Sequence, residues 1–329
     1  MSDKMKRGVY FSANDAVYDW AIAFLNSYRA FNPDLPLFLI PFNEDYAHLY
    51  RLQTEYDFEI YTDPAFERLE AIGHDFELGY TPTGPYWFRR YASFWGPLDE
   101  FMYLDARQLV LTELLPFVTA PQEYGYDLMH YDCAIDQVYQ PGPLRRKMLR
   151  EHQARGFNSG RWASRKGLFT IKEFETLAAE ALKVRDQLHP RNTDQSFINY
   201  CCDVKPIQYG HFAEVMGRTC QQGWANQPGS VYEDGGDYRL WNCGGLNHTY
   251  KVALLHWAGI SKSSVMPERQ WFTKYRHLRS SSLFYAFAVV LNYLLYPPFL
   301  LFQKIKWQRH INMAYHYLVA DDSDWRPSP

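Results

Sequence analysis

The sequence has few cysteines, and their spacing argues against two kinds of structural framework. Of 329 residues, five are cysteine: Cys133, Cys201, Cys202, Cys220 and Cys243. The number is odd and no pair has the CxxC spacing, which disfavours both a set of disulfides and a zinc knuckle. We therefore expect a protein of a reducing compartment.

The sequence also lacks a large excess of charge of either sign. Its 34 Lys and Arg and 37 Asp and Glu residues give a net charge of −3. This balance argues against a general nucleic-acid-binding protein, so we expect no nucleic-acid partner.

The segment from Met1 to Arg7 is polar and is not followed by the apolar core of a signal peptide. We therefore expect a cytoplasmic location.

The first sixty residues predict an α/β fold. An apolar run at 8–11, a helical pattern over 16–31 and a second apolar run at 37–40 form a strand, a helix and a strand. This order predicts a βαβ unit with a parallel pair of strands, and 58–61 is a third candidate strand. A polar turn with Asn14 and Asp15 follows the first strand.

A carboxylate ends another apolar run. Residues 101–104 read as a buried strand, and Asp105 follows them directly. An unpaired charge is costly to bury, and ligands of open α/β sheets bind at the carboxyl ends of the strands. Asp105 is therefore a candidate ligand-binding residue. The alternative is a residue that only caps the turn.

Other polar groups occur at comparable places. Arg89 and Arg90 lie in an aromatic cluster at 85–95 and could bind phosphates, or one could form a buried ion pair while the other is solvated. The turn-rich string 157–160 suits close approach of the backbone to a ligand. His256 follows the apolar run 252–255, and the nearby Gly259 and Lys262 favour a functional role over a structural one.

Five segments, in chain order, resemble the GT-A nucleotide-sugar glycosyltransferases, in particular glycosyltransferase family 8, the glycogenin and galactosyltransferase-like family. The resemblance spans about residues 8–265. The matching segments are the first strand with Asn14 and Asp15, Tyr103-Leu104-Asp105, Phe157-Asn158-Ser159-Gly160, Asp194-Gln195 with Asn199, and His256-Trp257-Ala258-Gly259 with Lys262.

The resemblance implies a GT-A, Rossmann-like fold with a mixed, mostly parallel sheet between helices. It implies a hexosyltransferase-like enzyme, retaining by analogy, that uses a nucleotide sugar, with UDP as the favoured carrier. Asn14 and Asp15 would lie near the base, and Asp105 and His256 would hold a metal ion. Arg89 and Gly259 are added to the donor-binding set. Lys262 would meet the diphosphate, and Asn158, Asp194 and Gln195 would surround the transferred sugar.

One position departs from the family pattern. Arg107 stands where the second aspartate of the DxD motif is expected. Because hard cations need several oxygen ligands, Mn²⁺ or Mg²⁺ should bind weakly or not at all. Arg107 is then a candidate for the phosphates, and Arg107→Asp should introduce a response to Mn²⁺. The alternative is a catalytically inactive domain that binds a nucleotide sugar or a protein partner.

The C-terminal part predicts an apolar helical appendage. Residues 283–302 carry no charge, but Pro297-Pro298 interrupts them, and basic residues flank both ends. This pattern favours peripheral association with a membrane surface, where the acceptor would be lipid-linked or a polysaccharide glycan. The alternatives are packing on the catalytic domain, a homodimer contact, or a membrane-anchored scaffold. We thus expect a domain at 1–265 and an associating segment at 266–329.

Overall fold

The computed structural model describes residues 5–76, 84–132, 134–191, 193–205, 207–216, 220–225, 230–241, 249–260 and 266–281, with 283, 286, 287 and 290 beyond them. The strands are β1 (Arg7–Ala13), β2 (Leu37–Pro41), β3 (Glu59–Ile60), β4 (Glu100–Asp105), β5 (Gln108–Val110), β6 (Leu128–His130), β7 (Arg161–Arg165), β8 (Tyr209–His211), β9 (Cys220–Trp224), β10 (Ser230–Asp234), β11 (Asp237–Trp241) and β12 (Thr249–His256).

The α-helices alternate with the strands over most of the chain. They are α1 (Tyr18–Phe31), α2 (Ala47–Tyr50), α3 (Gln53–Tyr56), α4 (Phe66–Phe76), α5 (Leu115–Tyr124), α6 (Pro143–Glu151), α7 (Ile171–Leu182), α8 (Thr193–Val204), α9 (Phe212–Val215) and α10 (Arg269–Arg276). Short 3-10 helices cover Asp15–Val17, Gly84–Phe94, Ile135–Gln137 and Arg185–Gln187.

The main sheet has seven strands in the order β3-β2-β1-β4-β7-β6-β8. Strands β3, β2, β1 and β4 are parallel, β7 runs antiparallel between β4 and β6, and β6 and β8 are parallel. This confirms the predicted mixed, mostly parallel sheet. It also confirms the first βαβ unit, in which Val9 pairs with Leu37.

Apolar side chains cover both faces of this sheet. On β1, Val9 and Phe11 pack in one core cluster and Tyr10 packs in the other, because successive side chains of a strand point to opposite faces. Strands buried on both faces are apolar throughout, which explains the continuous run that predicted β1. Burying one such side chain contributes about 1.5–3 kcal/mol.

The second sheet places the end of β12 next to the end of β4. Its order is β10-β11-β12-β5, and β9 adds to β12 in parallel. Strand β12 runs antiparallel to β5, so that His256 is opposite Gln108. The backbone N–H of Trp257 also donates to the carbonyl of Arg107 at 3.0 Å. The pairing thus brings His256 to the segment 105–108, although about 150 residues separate them in sequence.

The strand β7 was not predicted, because it opens with a charged residue, Arg161. The amphipathic pattern of the sequence over 171–188 indicates one continuous helix, but the structure divides this segment. Helix α7 ends at Leu182 and a 3-10 turn, Arg185–Gln187, follows it. The start of α7 has a capping box, in which Thr170 and Glu173 satisfy each other's backbone N–H groups.

The start of the C-terminal segment packs on the α/β domain. Helix α10 lies on α1, where the rings of Trp20 and Phe272 are 4.6 Å apart and Asn26 Nδ2 donates to the carbonyl of Tyr275 at 2.8 Å. Most of 283–302 lies outside the described residues. In the described part of the chain, no helix has the length and apolarity needed to cross a membrane.

Candidate active site

A cleft of about 530 Å³ opens at the carboxyl ends of β1 and β4. Two strand ends, the turn before β7, the start of α8 and the end of β12 form its walls. It is lined by Ser12, Ala13, Asn14, Ala16, Val17, Phe42, Trp87, Arg90, Asp105, Ala106, Arg107, Asn158, Ser159, Gly160, Asp194, Gln195, His256, Ala258 and Gly259.

Most of the residues predicted from sequence lie together in this cleft. Those that line it are Asn14, Asp105, Arg107, Asn158, Asp194, Gln195, His256 and Gly259. Lys262 lies outside the described residues. Asp15 and Arg89 are described, but neither lines the cleft.

Asp15 stabilises a neighbouring helix. Its two carboxylate oxygens accept the backbone N–H groups of His48 and Leu49, at 2.9 and 3.0 Å. These are N–H groups of the first turn of α2, which have no partner within the helix. Asn14 does line the cleft, and its Nδ2 donates to Asn43 Oδ1 at 3.2 Å. The turn after β1 therefore has one helix-capping residue and one residue at the cleft.

Of the two adjacent arginines, Arg90 and not Arg89 enters the cleft. Arg89 pairs with Glu44 at 2.6 Å and with Glu70 at 2.5 Å, and its guanidinium lies over the ring of Phe66. Consecutive residues of a 3-10 helix point about 120° apart, so neighbours face different surroundings. Both side chains are buried. The alternative prediction from sequence, in which one of the two arginines is solvated, is therefore wrong.

Arg90 lies between two carboxylates. Its Nη1 is 3.4 Å from Asp105 Oδ1 and 3.5 Å from Asp194 Oδ2, and it donates to the carbonyl of Ser159 at 2.9 Å. Tyr103 donates its hydroxyl to Asp105 Oδ1, and Ser159 donates its own to Asp194 Oδ2, both at 2.8 Å. We call Arg90, Asp105 and Asp194 the acidic side of the cleft, since two carboxylates and one guanidinium leave one negative charge.

Hydrogen bonds attach the string 157–160 to α8. Asn199 Oδ1 accepts the N–H of Phe157 at 2.9 Å, and its Nδ2 donates to the carbonyls of Phe157 and Gln195 at 2.9 and 2.8 Å. Asn158 Nδ2 donates to Gln195 Oε1 at 3.2 Å. These bonds hold the amides of Asn158 and Gln195 in place at the cleft wall.

Gly160 is needed because Asp105 approaches it closely. Its carbonyl accepts the N–H of Asp105 at 2.8 Å, and a Cβ at this position would overlap Asp105 Oδ2. Its own N–H donates to Asn158 Oδ1 at 2.9 Å. Any side chain at 160 would therefore move the Asp105 carboxylate.

A second group of residues at the cleft carries positive charge. Arg161 is fully buried, donates through Nη2 to Asp132 Oδ2 at 2.5 Å and contacts Nδ1 of His256 through Nη1. Burial, Arg161, Arg107 and Arg90 hold the pKa of His256 well below its usual 6.5, so the ring is neutral near pH 7.

The side chain of Arg107 is half-buried and lines the cleft, and no hydrogen bond or ion pair joins its guanidinium to another residue in the described ranges. We call Arg107, Arg161, Asp132 and His256 the basic side. Two guanidiniums and one carboxylate leave one positive charge beside a neutral imidazole.

Three residues of this arrangement escaped the sequence analysis. Arg161 directly follows the string 157–160 and precedes the apolar residues Trp162 and Ala163, which is a signal that could have singled it out. Ser159 was noted only as a turn residue. Asp132 gave no signal, because its role depends on a contact with Arg161 across the sheet.

The described residues do not fit a metal ion held as in the resembling family. Among them, no three His, Cys, Asp or Glu side chains are grouped to bind one. Asp105 Oδ1 accepts a hydrogen bond from the hydroxyl of Tyr103 and lies near Arg90. Arg107 stands at the position where the second carboxylate is expected. Divalent cations need several oxygen or nitrogen ligands, so one carboxylate beside this guanidinium is too few.

Comparisons with known proteins identify the fold. No protein-family model matches the chain, and no curated protein sequence matches it. Among solved structures, galactosyltransferase LgtC in complex with donor and acceptor sugar analogs is similar, with a TM-score of 0.53 and 14% identity over 83% of this chain and 96% of that one.

Two further structures agree. An active-site glutamine-to-glutamate mutant of LgtC has a TM-score of 0.55 at 14% identity, over 82% of this chain and 94% of that one. The bifunctional glycosyltransferase WbbM has a TM-score of 0.50 at 12% identity, over 84% of this chain and 50% of that one. The resemblance predicted from sequence is confirmed for the fold: this chain has the GT-A fold.

Proposed function

We propose that this chain is a glycosyltransferase that moves a sugar from a nucleoside-diphosphate sugar, of UDP type, to a glycan or lipid-linked acceptor. The observation that carries the proposal is the division of the cleft into an acidic and a basic side. Breaking the bond between a sugar and a diphosphate separates charge: positive charge develops on the sugar and negative charge on the leaving diphosphate.

The basic side suits the leaving group. Arg107 offers paired N–H donors in a geometry that matches phosphate oxygens, and no residue in the described ranges competes for them. A positive group that is already in place where negative charge develops stabilises the transition state most strongly in a site that excludes water. Lys262, which matches the family's diphosphate-binding lysine, is assigned to the same group.

The acidic side suits the sugar. The carboxylates of Asp105 and Asp194 can accept sugar hydroxyls and stabilise positive charge at the anomeric carbon, while Arg90 lies between them and holds both in place. The amides of Asn158 and Gln195 add hydrogen-bonding groups. A glutamine also belongs to the active site of LgtC, since its mutant is described as an active-site mutant. By analogy we assign Gln195 and Asp194 to the transferred sugar.

Binding and turnover test this function separately. A panel of UDP-, GDP-, ADP- and CDP-sugars is titrated into the protein by calorimetry, and release of the nucleotide is then followed over hours with and without glycan acceptors. We expect saturable binding of one nucleotide class and slow donor-dependent release. Binding without release under any condition would favour the inactive, binding-only domain. No binding at millimolar concentration would refute the proposal.

We also propose that residues 283–302 associate with a membrane surface. The support is the sequence pattern, together with the exposure of Leu283, Phe287 and Val290, which recur at intervals of four and three residues. Flotation of the whole chain with vesicles containing anionic lipid should carry it upward, and Leu283→Asp with Phe287→Asp should reduce this. Protein that stays at the bottom and elutes as a dimer would favour a subunit contact.

A further inference from the structure

A buried arginine stands directly behind His256. Arg161 opens β7, is fully buried, and is held by Asp132 on one side while it contacts His256 Nδ1 on the other. A buried guanidinium anchored in this way cannot swing into the cleft when a ligand arrives. Its effect on the cleft must therefore pass through the imidazole of His256, which lines it.

The contact fixes the position of the proton on the ring. A guanidinium has N–H donors and no acceptor, so Nδ1 of His256 must accept the hydrogen bond. A nitrogen that accepts carries no proton, so the proton of the ring must be on Nε2. A metal-binding histidine has the reverse arrangement, since it gives its remote N–H to an acceptor and keeps the other nitrogen free for the metal.

The two arginines act in the same direction. Arg107 replaces a carboxylate that would bind a metal, and Arg161 turns the histidine from a metal ligand into a hydrogen-bond donor. Each change alone would leave a damaged metal site. Together they leave a cleft wall with N–H donors and one net positive charge, which suits a diphosphate.

We propose that Arg161 is a positioning residue that holds His256 as an Nε2–H donor, so that His256 and Arg107 bind the diphosphate of the donor directly in place of a metal ion. This rests on the proposed function. It also changes an expectation from the sequence, by which Arg107→Asp alone would introduce a response to Mn²⁺. With Arg161 present, His256 still lacks a free nitrogen for the metal.

The first test reads the tautomer without any ligand. In protein labelled with ¹⁵N-histidine, the two ring nitrogens of His256 are assigned by their loss in His256→Gln. We expect the proton on Nε2 in the wild type. In Arg161→Met with Asp132→Asn, which removes the pair without leaving a lone charge, the Nδ1–H form should gain population. A wild-type ring protonated at Nδ1 would overturn the proposal.

A matched control is available on the same strand. Arg165 pairs with Asp127 at 2.9 Å near the other end of β7, and neither residue lines the cleft. Arg165→Met with Asp127→Asn should leave the His256 signals unchanged. Arg161→Lys keeps a donor and should retain the Nε2–H form. If the Arg161 and Asp132 pair variant does not fold, the wild-type signals and the Lys variant still decide the question.

The second test uses UDP as the probe, by calorimetry in EDTA and in Mn²⁺. We expect wild-type affinity to differ less than about threefold between the two conditions, and Arg107→Asp to weaken binding with little response to Mn²⁺. Arg107→Asp combined with Arg161→Met and Asp132→Asn should gain at least about tenfold from Mn²⁺. A tenfold Mn²⁺ response in the wild type or in Arg107→Asp alone would overturn the proposal. Failure of UDP to bind any variant would refute the proposed function and the diphosphate contact, while the tautomer result would stand by itself.

Discussion

The acidic and the basic sides of the cleft are built differently. On the acidic side, the carboxylate oxygens have partners within the fold. Arg90 and Tyr103 contact Asp105 Oδ1, and Ser159 donates to Asp194 Oδ2. On the basic side Arg107 contributes a charge with no partner in the described ranges, and the buried Arg161 acts through a neutral histidine.

This difference shows where the cleft has the residue types expected from the family resemblance and where it departs from them. On the acidic side, Asp194 matches a residue that the resemblance places around the sugar, and Asp105 matches the first metal-binding aspartate. On the basic side, Arg107 stands where the second aspartate is expected, and Arg161 contacts His256. Guanidinium groups can supply positive charge at the leaving group as well as a metal ion can. The negative charge that develops on the diphosphate can therefore be stabilised without a metal.

Removing Arg90 should have the largest effect, because it leaves Asp105 and Asp194 facing each other unpaired. We expect Arg90→Met to lower the free energy of unfolding by about 3–5 kcal/mol, measured by urea denaturation. Arg89→Met is the matched comparison, and its loss should be smaller because it leaves one largely buried carboxylate, Glu70, while its other partner, Glu44, is exposed. Equal losses in the two variants would contradict the placement of Arg90 as the link between the two carboxylates.

Replacing Asp194 should separate the two sides by function. We expect Asp194→Asn to reduce sugar transfer roughly a hundred- to a thousandfold, since a preorganised charge at the sugar is lost. UDP affinity should stay within about threefold, because the proposed function assigns the nucleotide to the basic side. The exposed Asp186→Asn serves as control. Loss of UDP binding together with transfer would mean that the acidic side also holds the nucleotide.

Arg107→Ala should produce the opposite pattern. We expect the affinity for UDP and for the UDP-sugar to fall about ten- to a hundredfold, in line with charged hydrogen bonds worth about 1.5–3 kcal/mol. The loss should shrink at high salt, because the contact is electrostatic. Arg146→Ala, an exposed arginine on α6, should change neither value. Unchanged affinity would show that Arg107 points away from the donor.

A buried carboxylate outside the cleft sharpens the comparison. Asp203 accepts hydrogen bonds from the hydroxyls of Tyr139 and Tyr209, and burial raises its pKa to about 7. An unfolded Asp has a pKa of about 3.9, so the folded state holds the extra proton between pH 4 and 7 and loses stability as pH rises through that range.

The substitution Asp203→Asn removes this titration. From pH 5 to pH 8 the variant should gain on the order of 2 kcal/mol in unfolding free energy relative to the wild type, as a three-unit difference in pKa implies. Urea denaturation of both proteins at the two pH values measures it, and all other titrating groups cancel in the difference. Parallel pH profiles would contradict the raised pKa of Asp203.

Local signals predicted the scaffold and much of the cleft. An apolar run followed by a polar residue marks a strand and its end, and this pattern located β1, β2, β4 and β12 and the polar residues after them. Parallel strands then bring those ends to one edge, which is why Asn14 and Asp105 line the same cleft.

The basic side depended on contacts that no local pattern encodes. Arg161 and His256 meet only because β12 pairs with β5 while β7 pairs with β4. The choice between Arg89 and Arg90 depended on the direction of a 3-10 helix and on Glu70, which lies on α4. Strands β9 to β11 lacked the long apolar runs that marked the others.

The most direct test of the account is a crystal structure of the protein with a UDP-sugar and Mn²⁺, with diffraction data collected at the manganese absorption edge. The account predicts the diphosphate next to Arg107 and His256, the sugar next to Asp194, and no anomalous peak at Asp105. A manganese peak between Asp105 and His256 that bridges the diphosphate would contradict it.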